Sequence, residues 1–200
     1  MESHTLKISI AIVAATFLFN GCTSTPLTAS YTPSSTITGI GHFDSVSVVY
    51  QPGIDAAKKP KVLDPTQDYK SKEREPITMN QIENTALGYV RFNESIDSFF
   101  RTAILSELKY AGYRQNADSP RIKATINNLL IDDLGYSVDW TMSVTYLITS
   151  TTGEWKGVTV TTNKNTDKFI QPLTTVNYVF RLNIEEFMLS QVFQDLIEKK

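Results

Sequence analysis

Apolar residues recur along this chain with different periods, and each period predicts a different element. From Ile8 to Phe19 they form an uncharged greasy run. From Phe43 to Tyr50 they are dense and β-rich, with Val46, Val48 and Tyr50 on one face, which predicts a first strand stopped by Gln51-Pro52-Gly53. Ile96, Phe99, Phe100, Ala103, Ile104, Leu108 and Ala111 then return at helical spacing. That stripe predicts a helix with Asn93 as its cap, Lys109 in the last turn and Gly112 as its stop. Strict alternation follows: Ile122, Ala124 and Ile126 in one segment, and Val138, Trp140, Met142, Val144, Tyr146 and Ile148 in the next. Such alternation belongs to strands with one buried face. Thr151-Thr152-Gly153 fits a hairpin loop whose last residue needs positive φ. That loop sets Ser150 opposite Glu154, pairs Tyr146 with Val158 and Val144 with Val160, and sends Trp155 to the polar face.

The final pattern, from about Thr175 to Glu198, predicts one long helix with too many apolar residues for a single face. Phe180, Ile184, Phe187 and Met188 make one stripe; Leu189, Val192, Phe193, Leu196 and Ile197 make another, rotated away from it. Either the second half of the helix packs against the first helix or the long loop, or it is an exposed patch that binds another protein or a lipid, with Leu189, Val192, Phe193 and Leu196 as its contacts. Trp155 is a further possible contact, or else a cover for the sheet edge. Between the first strand and the first helix, the stretch from Asp55 to Glu75 is a long loop of mixed charge: a solvated surface, or one that meets phospholipid headgroups or a partner. Thr78 and Gln81 have the spacing of a capping box for a short helical turn through about Thr85. The order β-α-β-β-β-α predicts an α+β fold: a two-layer sandwich of a roughly four-stranded, mainly antiparallel sheet with two helices on one face.

The first run is too short to span a bilayer, since its apolar core of about a dozen residues falls below the ~20 a helix needs. Lys7 precedes it, and it ends at Phe19-Asn20-Gly21-Cys22, where Cys22 is the only cysteine. Those four positions resemble the bacterial lipoprotein signal, in which a small residue precedes a cysteine that is acylated and becomes the new N-terminus. Gly21 and Cys22 match it, and Phe19 stands in place of leucine. The resemblance implies a signal peptide over 1–21 and a bilayer anchor at Cys22. A Ser/Thr/Pro-rich tether over 22–40 and a single domain over 41–200 are expected to follow. Thr23 stands where an aspartate would mark inner-membrane retention, which implies the outer membrane, facing the periplasm.

Composition and chemistry add little. A formal charge of −2 gives no strongly basic face for nucleic acid. The 41% hydrophobic and 10% aromatic content suits one ordinary core. His42 is the only histidine after the signal region, so a His/Cys metal set is not expected, and no cofactor motif is found: Gly39-Ile40-Gly41 precedes a strand where a phosphate loop would follow one. A hydrolase would have to draw on His42, Asp44, Asp132 or Asp133; the plainer expectation is surface polar residues and no enzyme. The element order, the Phe19–Cys22 block and Leu87-Gly88 before the helix together resemble the small periplasmic lipoproteins of the YajG type. More distantly they resemble auxiliary lipoproteins of envelope transport and lipopolysaccharide assembly. The resemblance implies a non-catalytic binding, assembly or transport-accessory factor with an envelope protein partner; carriage of an apolar ligand or lipid is the alternative.

Overall fold

The computed structural model describes residues 25–52, 76–168 and 172–198. The signal region with Cys22 and the charged loop from Asp55 to Glu75 lie outside them. Among the described residues eight strands and three helices follow in order: β1 (His42–Phe43), β2 (Val46–Tyr50), β3 (Gln81–Asn84), β4 (Gly88–Arg91), α1 (Ile96–Tyr110), β5 (Arg114–Gln115), β6 (Arg121–Asp132), β7 (Ser137–Thr149), β8 (Trp155–Asp167), α2 (Pro172–Met188) and α3 (Gln191–Leu196). The main sheet is six-stranded and mixed, where four mainly antiparallel strands were expected.

β6 organises it. Along its whole length β7 pairs antiparallel on one edge, from Arg121↔Thr149 to Asp132↔Asp139. Its other edge is shared: β2 lies parallel along the first half, Val46↔Ile122 to Tyr50↔Ile126, and β3 lies parallel at the far end, Glu83↔Leu130 and Asn84↔Ile131. The register shifts between Ile126 and Asn128, where one partner gives way to the other. An inserted residue restores alternation on the core side, so Ile122, Ala124 and Ile126 before it and Leu129 and Ile131 after it are all buried.

The β7–β8 hairpin has the register its loop chemistry predicts. Tyr146 pairs with Val158, Val144 with Val160 and Thr149 with Trp155; Gly153 has φ +87°. Threonine and asparagine cover the open face in cross-strand hydrogen bonds, among them Thr145–Thr159 and Thr141–Asn163.

Three expected local features are different. Residues 81–84 are a strand of the β3–β4 hairpin, not a helical turn. The Thr78 amide does donate to the Gln81 side chain, but that bond closes a turn ahead of the strand. Asn84 then accepts from the amides of Ala86 and Leu87 and turns the chain back. Secondly, α1 is capped at Ser95, not at Asn93, whose side chain accepts from the Ala29 amide. Its C-terminus is as expected: Gly112 at φ +105° lets the amides of Gly112 and Tyr113 close on the carbonyls of Lys109 and Leu108.

The third difference resolves the two rotated stripes. The final helix breaks at Leu189–Ser190, and Ser190 caps a new short helix by accepting from the Phe193 amide. The break re-aims α3, so Phe187 at the end of α2 and Phe193 in α3 are both fully buried. Helices α1 and α2 pack on the apolar side of the sheet and on each other, and rings fill the layer between. Phe180 meets Phe99 and Phe100 at centroid distances of 5.3 and 4.8 Å, and Tyr146 stacks on Phe187 at 3.9 Å.

Candidate functional surface

The segment read as a tether is, from residue 25 onward, laid along the helices as a strap. Leu27 pairs with Phe92 in parallel, its amide donating to the Arg91 carbonyl and its carbonyl accepting from Asn93. Asn177 of α2 donates to the Ser30 carbonyl, and Thr36 donates to Glu185 through both its amide and its hydroxyl. Between these points lies the strongest anchor, Glu107. It sits on the apolar stripe of α1, one turn from Ala103, Ile104 and Ala111, and is 0% exposed. Its carboxylate accepts from the Tyr31 hydroxyl at 2.6 Å, the Ser34 amide at 3.2 Å and the Ser35 amide at 2.9 Å. A buried carboxylate is tolerated because donors replace its water. The strap ends at two close approaches. Gly39 lies so near the Tyr113 hydroxyl, and Gly41 so near the Ile197 carbonyl, that an added Cβ would stand about 2 Å from either oxygen.

A second buried polar group fixes how α2 sits on the sheet. Asn183, fully buried, accepts from the Tyr146 hydroxyl at 2.7 Å and donates to Thr162 at 3.1 Å. Thr162 in turn donates to Glu186. Sliding α2 by one residue would break every one of these bonds, so the network sets its register. Neither Glu107 nor Asn183 was singled out from sequence. The signal was there, as a polar residue falling on an apolar helical stripe.

Burial pushes the hydroxyls of Tyr31, Tyr50 and Tyr146 well above the ordinary phenol range, with the bond to Glu107 adding to the effect at Tyr31. The unfolded chain releases these protons near pH 10, while the folded chain still holds them. Stability from these groups is therefore fully present below about pH 10 and falls as pH rises further, by about 1.4 kcal/mol per pH unit for a buried group such as Tyr146. Equilibrium denaturation between pH 9 and 11.5 is expected to show this loss. Tyr146→Phe should flatten the slope.

The residues with candidate chemistry are spread apart. His42 lies by the start of β6, in a cleft of about 290 Å³ lined also by Asn116, Asp118, Ser119, Thr151 and Glu198. Asp44 is 3.9 Å from Arg121 at the same end. Asp132 ends β6 and Asp133 follows it, at the other end of the strand and on the order of 30 Å away by strand rise. There Asp132 accepts from Thr85, and Asp133 faces Lys168 at 3.4 Å. Histidine and the aspartate pair therefore form no common site.

The possible partner contacts divide as well. Phe193 is 0% exposed and meets Tyr113 and Phe187 edge-on, each at 5.1 Å, which places it in the core and off any surface. Val192 and Leu196 are half-buried against that core. Leu189 is 61% exposed at the break between α2 and α3. Trp155, 65% exposed, begins the edge strand β8 on the open face, at the His42 end of the molecule.

These features define an α+β domain whose N-terminal strap is bonded across both long helices. No protein-family model matches the chain, and no curated protein matches it. Among solved structures it is similar to protein XCC0632 from Xanthomonas campestris, described by the family model DUF330. That likeness has 7% identity, 85% of this chain and 94% of the other covered, and a TM-score of 0.49. It is also similar to the rare lipoprotein B from Shewanella oneidensis, at 9% identity over 44% of this chain and 77% of the other, TM-score 0.31. A minor lipoprotein from Acinetobacter baumannii gives 13% identity over 48% and 81%, TM-score 0.30.

Proposed function

We propose that this protein is a lipoprotein of the bacterial envelope, anchored through acylated Cys22 in the outer membrane and facing the periplasm. It works there as a non-catalytic binding, assembly or transport-accessory factor for an envelope protein, as the YajG-type resemblance implies. The observation that carries the reading is the Phe19-Asn20-Gly21-Cys22 block, closing an uncharged run that is too short to span a bilayer. The rings that fill the layer between helices and sheet favour a binding factor over a carrier of an apolar ligand. The separation of His42 from Asp132 and Asp133 favours it over a hydrolase.

Metabolic labelling with palmitate is expected to mark the wild-type chain and to leave Cys22→Ser unlabelled, with the variant soluble or unprocessed. Absence of label on the wild type would refute the anchor. Membrane fractionation then decides between outer and inner membrane, and crosslinking in intact cells followed by pulldown identifies the partner.

A further inference from the structure

We propose that the end of the sheet carrying the β3–β4 and β6–β7 turns is a membrane-docking tip, whose occupant is the surface of a zwitterionic phospholipid bilayer. The inference rests on the acylation of Cys22 proposed above. Two observations carry it, and the first is the direction of the strap. Leu27 runs parallel to β4 at Phe92, so Thr25 and Pro26 lie back along β4 toward its first residue, Gly88, and the turn before it. Cys22 is three residues before Thr25, which keeps its Cα within about 11 Å of that point. Docking of the strap thus converts a long tether into a short one, three residues from a point along β4 on the side of the hairpin that leads to the two turns.

The second observation is what those turns present. Leu87 is 73% exposed, Leu134 61%, and Tyr136 is entirely exposed. The turns are bolted together: the Thr85 amide donates to the Ile131 carbonyl, its hydroxyl donates to Asp132, and the Asp133 amide donates to that hydroxyl. Two leucines and a tyrosine held on a rigid tip beside an acyl anchor match the chemistry of the bilayer interface, where aliphatic chains enter and a tyrosine sits at headgroup level. Charge selects the lipid. Among the described residues Asp132, Asp133, Asp139 and Asp167 outnumber Lys168 at this end, so apolar insertion rather than attraction to anionic headgroups is the driving force. The opposite end, with Trp155 and the His42 cleft, is then turned toward the periplasm.

The test uses the full acylated chain reconstituted in phosphatidylethanolamine/phosphatidylcholine vesicles. With Cys22 acylated, an introduced cysteine is the only free thiol, so a spin label is placed at Leu134→Cys or, at the opposite end, at Thr152→Cys. Both sites are exposed. The label at the tip is expected to collide several-fold less with a water-soluble nickel complex, and more with oxygen, than the label at the far turn, with little change between low and high salt. Equal nickel access at both sites, in protein whose N-terminal peptide carries the acyl mass, would overturn the docking tip and leave the lipoprotein reading standing. Absence of the acyl mass would overturn both.

Discussion

Replacing Phe193 with alanine is expected to cost the fold about 3 to 5 kcal/mol, the range for a buried phenylalanine in a core that cannot collapse around the gap. The site is rigid on every side. Tyr113 and Phe187 hold the ring edge-on, Phe187 is itself stacked on Tyr146, and Tyr146 is tied to Asn183. No neighbour moves into the space without giving up a ring contact or a buried hydrogen bond. Equilibrium denaturation of the purified variant checks this, and a domain of this size should lose on the order of 10 °C in melting temperature. If Phe193 served a partner instead, binding would fall while the midpoint stayed near that of the wild type. Leu189→Ser is the contrasting substitution: the side chain is exposed, so stability should remain within about 0.5 kcal/mol.

Removing the carboxylate of Glu107 is expected to free the strap. In Glu107→Ala the Tyr31 hydroxyl and the amides of Ser34 and Ser35 lose their acceptor together. Each buried donor left unpaired costs about 1 to 3 kcal/mol, so the strap lifts and lets water satisfy them. Amide hydrogen exchange should then show Ser35 losing its protection outright, while Met142 in the centre of the sheet stays protected and slackens only by the loss in global stability. Global stability should fall by a few kcal/mol, and limited proteolysis should open between Ala29 and Thr36. Glu107→Gln retains an acceptor oxygen and should restore part of the protection. Protection at Ser35 unchanged in the alanine variant would show that other contacts, such as Thr36 with Glu185, hold the strap.

The two results bear on different parts of the function. A loss of core at Phe193 unfolds the domain that would meet a partner. A loss of Glu107 leaves that domain in place and frees the strap between Ala29 and Thr36; the connection to Cys22 lengthens from a few residues to nearly twenty once the Leu27–Phe92 pairing gives way as well. A lifted strap of that length no longer orients the domain, because the span of a flexible chain says nothing about direction.

Local chemistry in this sequence was legible wherever one element decides its own structure. The β7–β8 hairpin follows from a glycine that tolerates positive φ and from alternation that leaves one register with a single apolar face. The end of α1 follows from Gly112 for the same backbone reason, and the apolar stripe from Ile96 to Ala111 follows from helical spacing. The block ending at Cys22 is likewise a property of consecutive residues, readable without any fold.

What tertiary structure alone decided are the features in which distant residues satisfy one another. The β3–β4 hairpin is short and polar, and it is a strand because β6 offers a free edge beyond the bulge, which no local propensity at Gln81–Asn84 encodes. Asn93 has the chemistry of a cap and spends it on Ala29, 64 residues away. The strap has the composition of a disordered linker, and it is ordered because a carboxylate buried inside α1 has no water to bond and takes its hydroxyl and amides instead, with polar groups along α2 adding further bonds at the surface. The break at Ser190 has the same origin. A straight helix would leave one apolar stripe in solvent, and the hydrophobic gain from burying Phe187 and Phe193 together exceeds the cost of interrupting the backbone bonds. Periodicity can count the apolar faces of a helix, but only the space left beside the sheet determines how many of them it can bury.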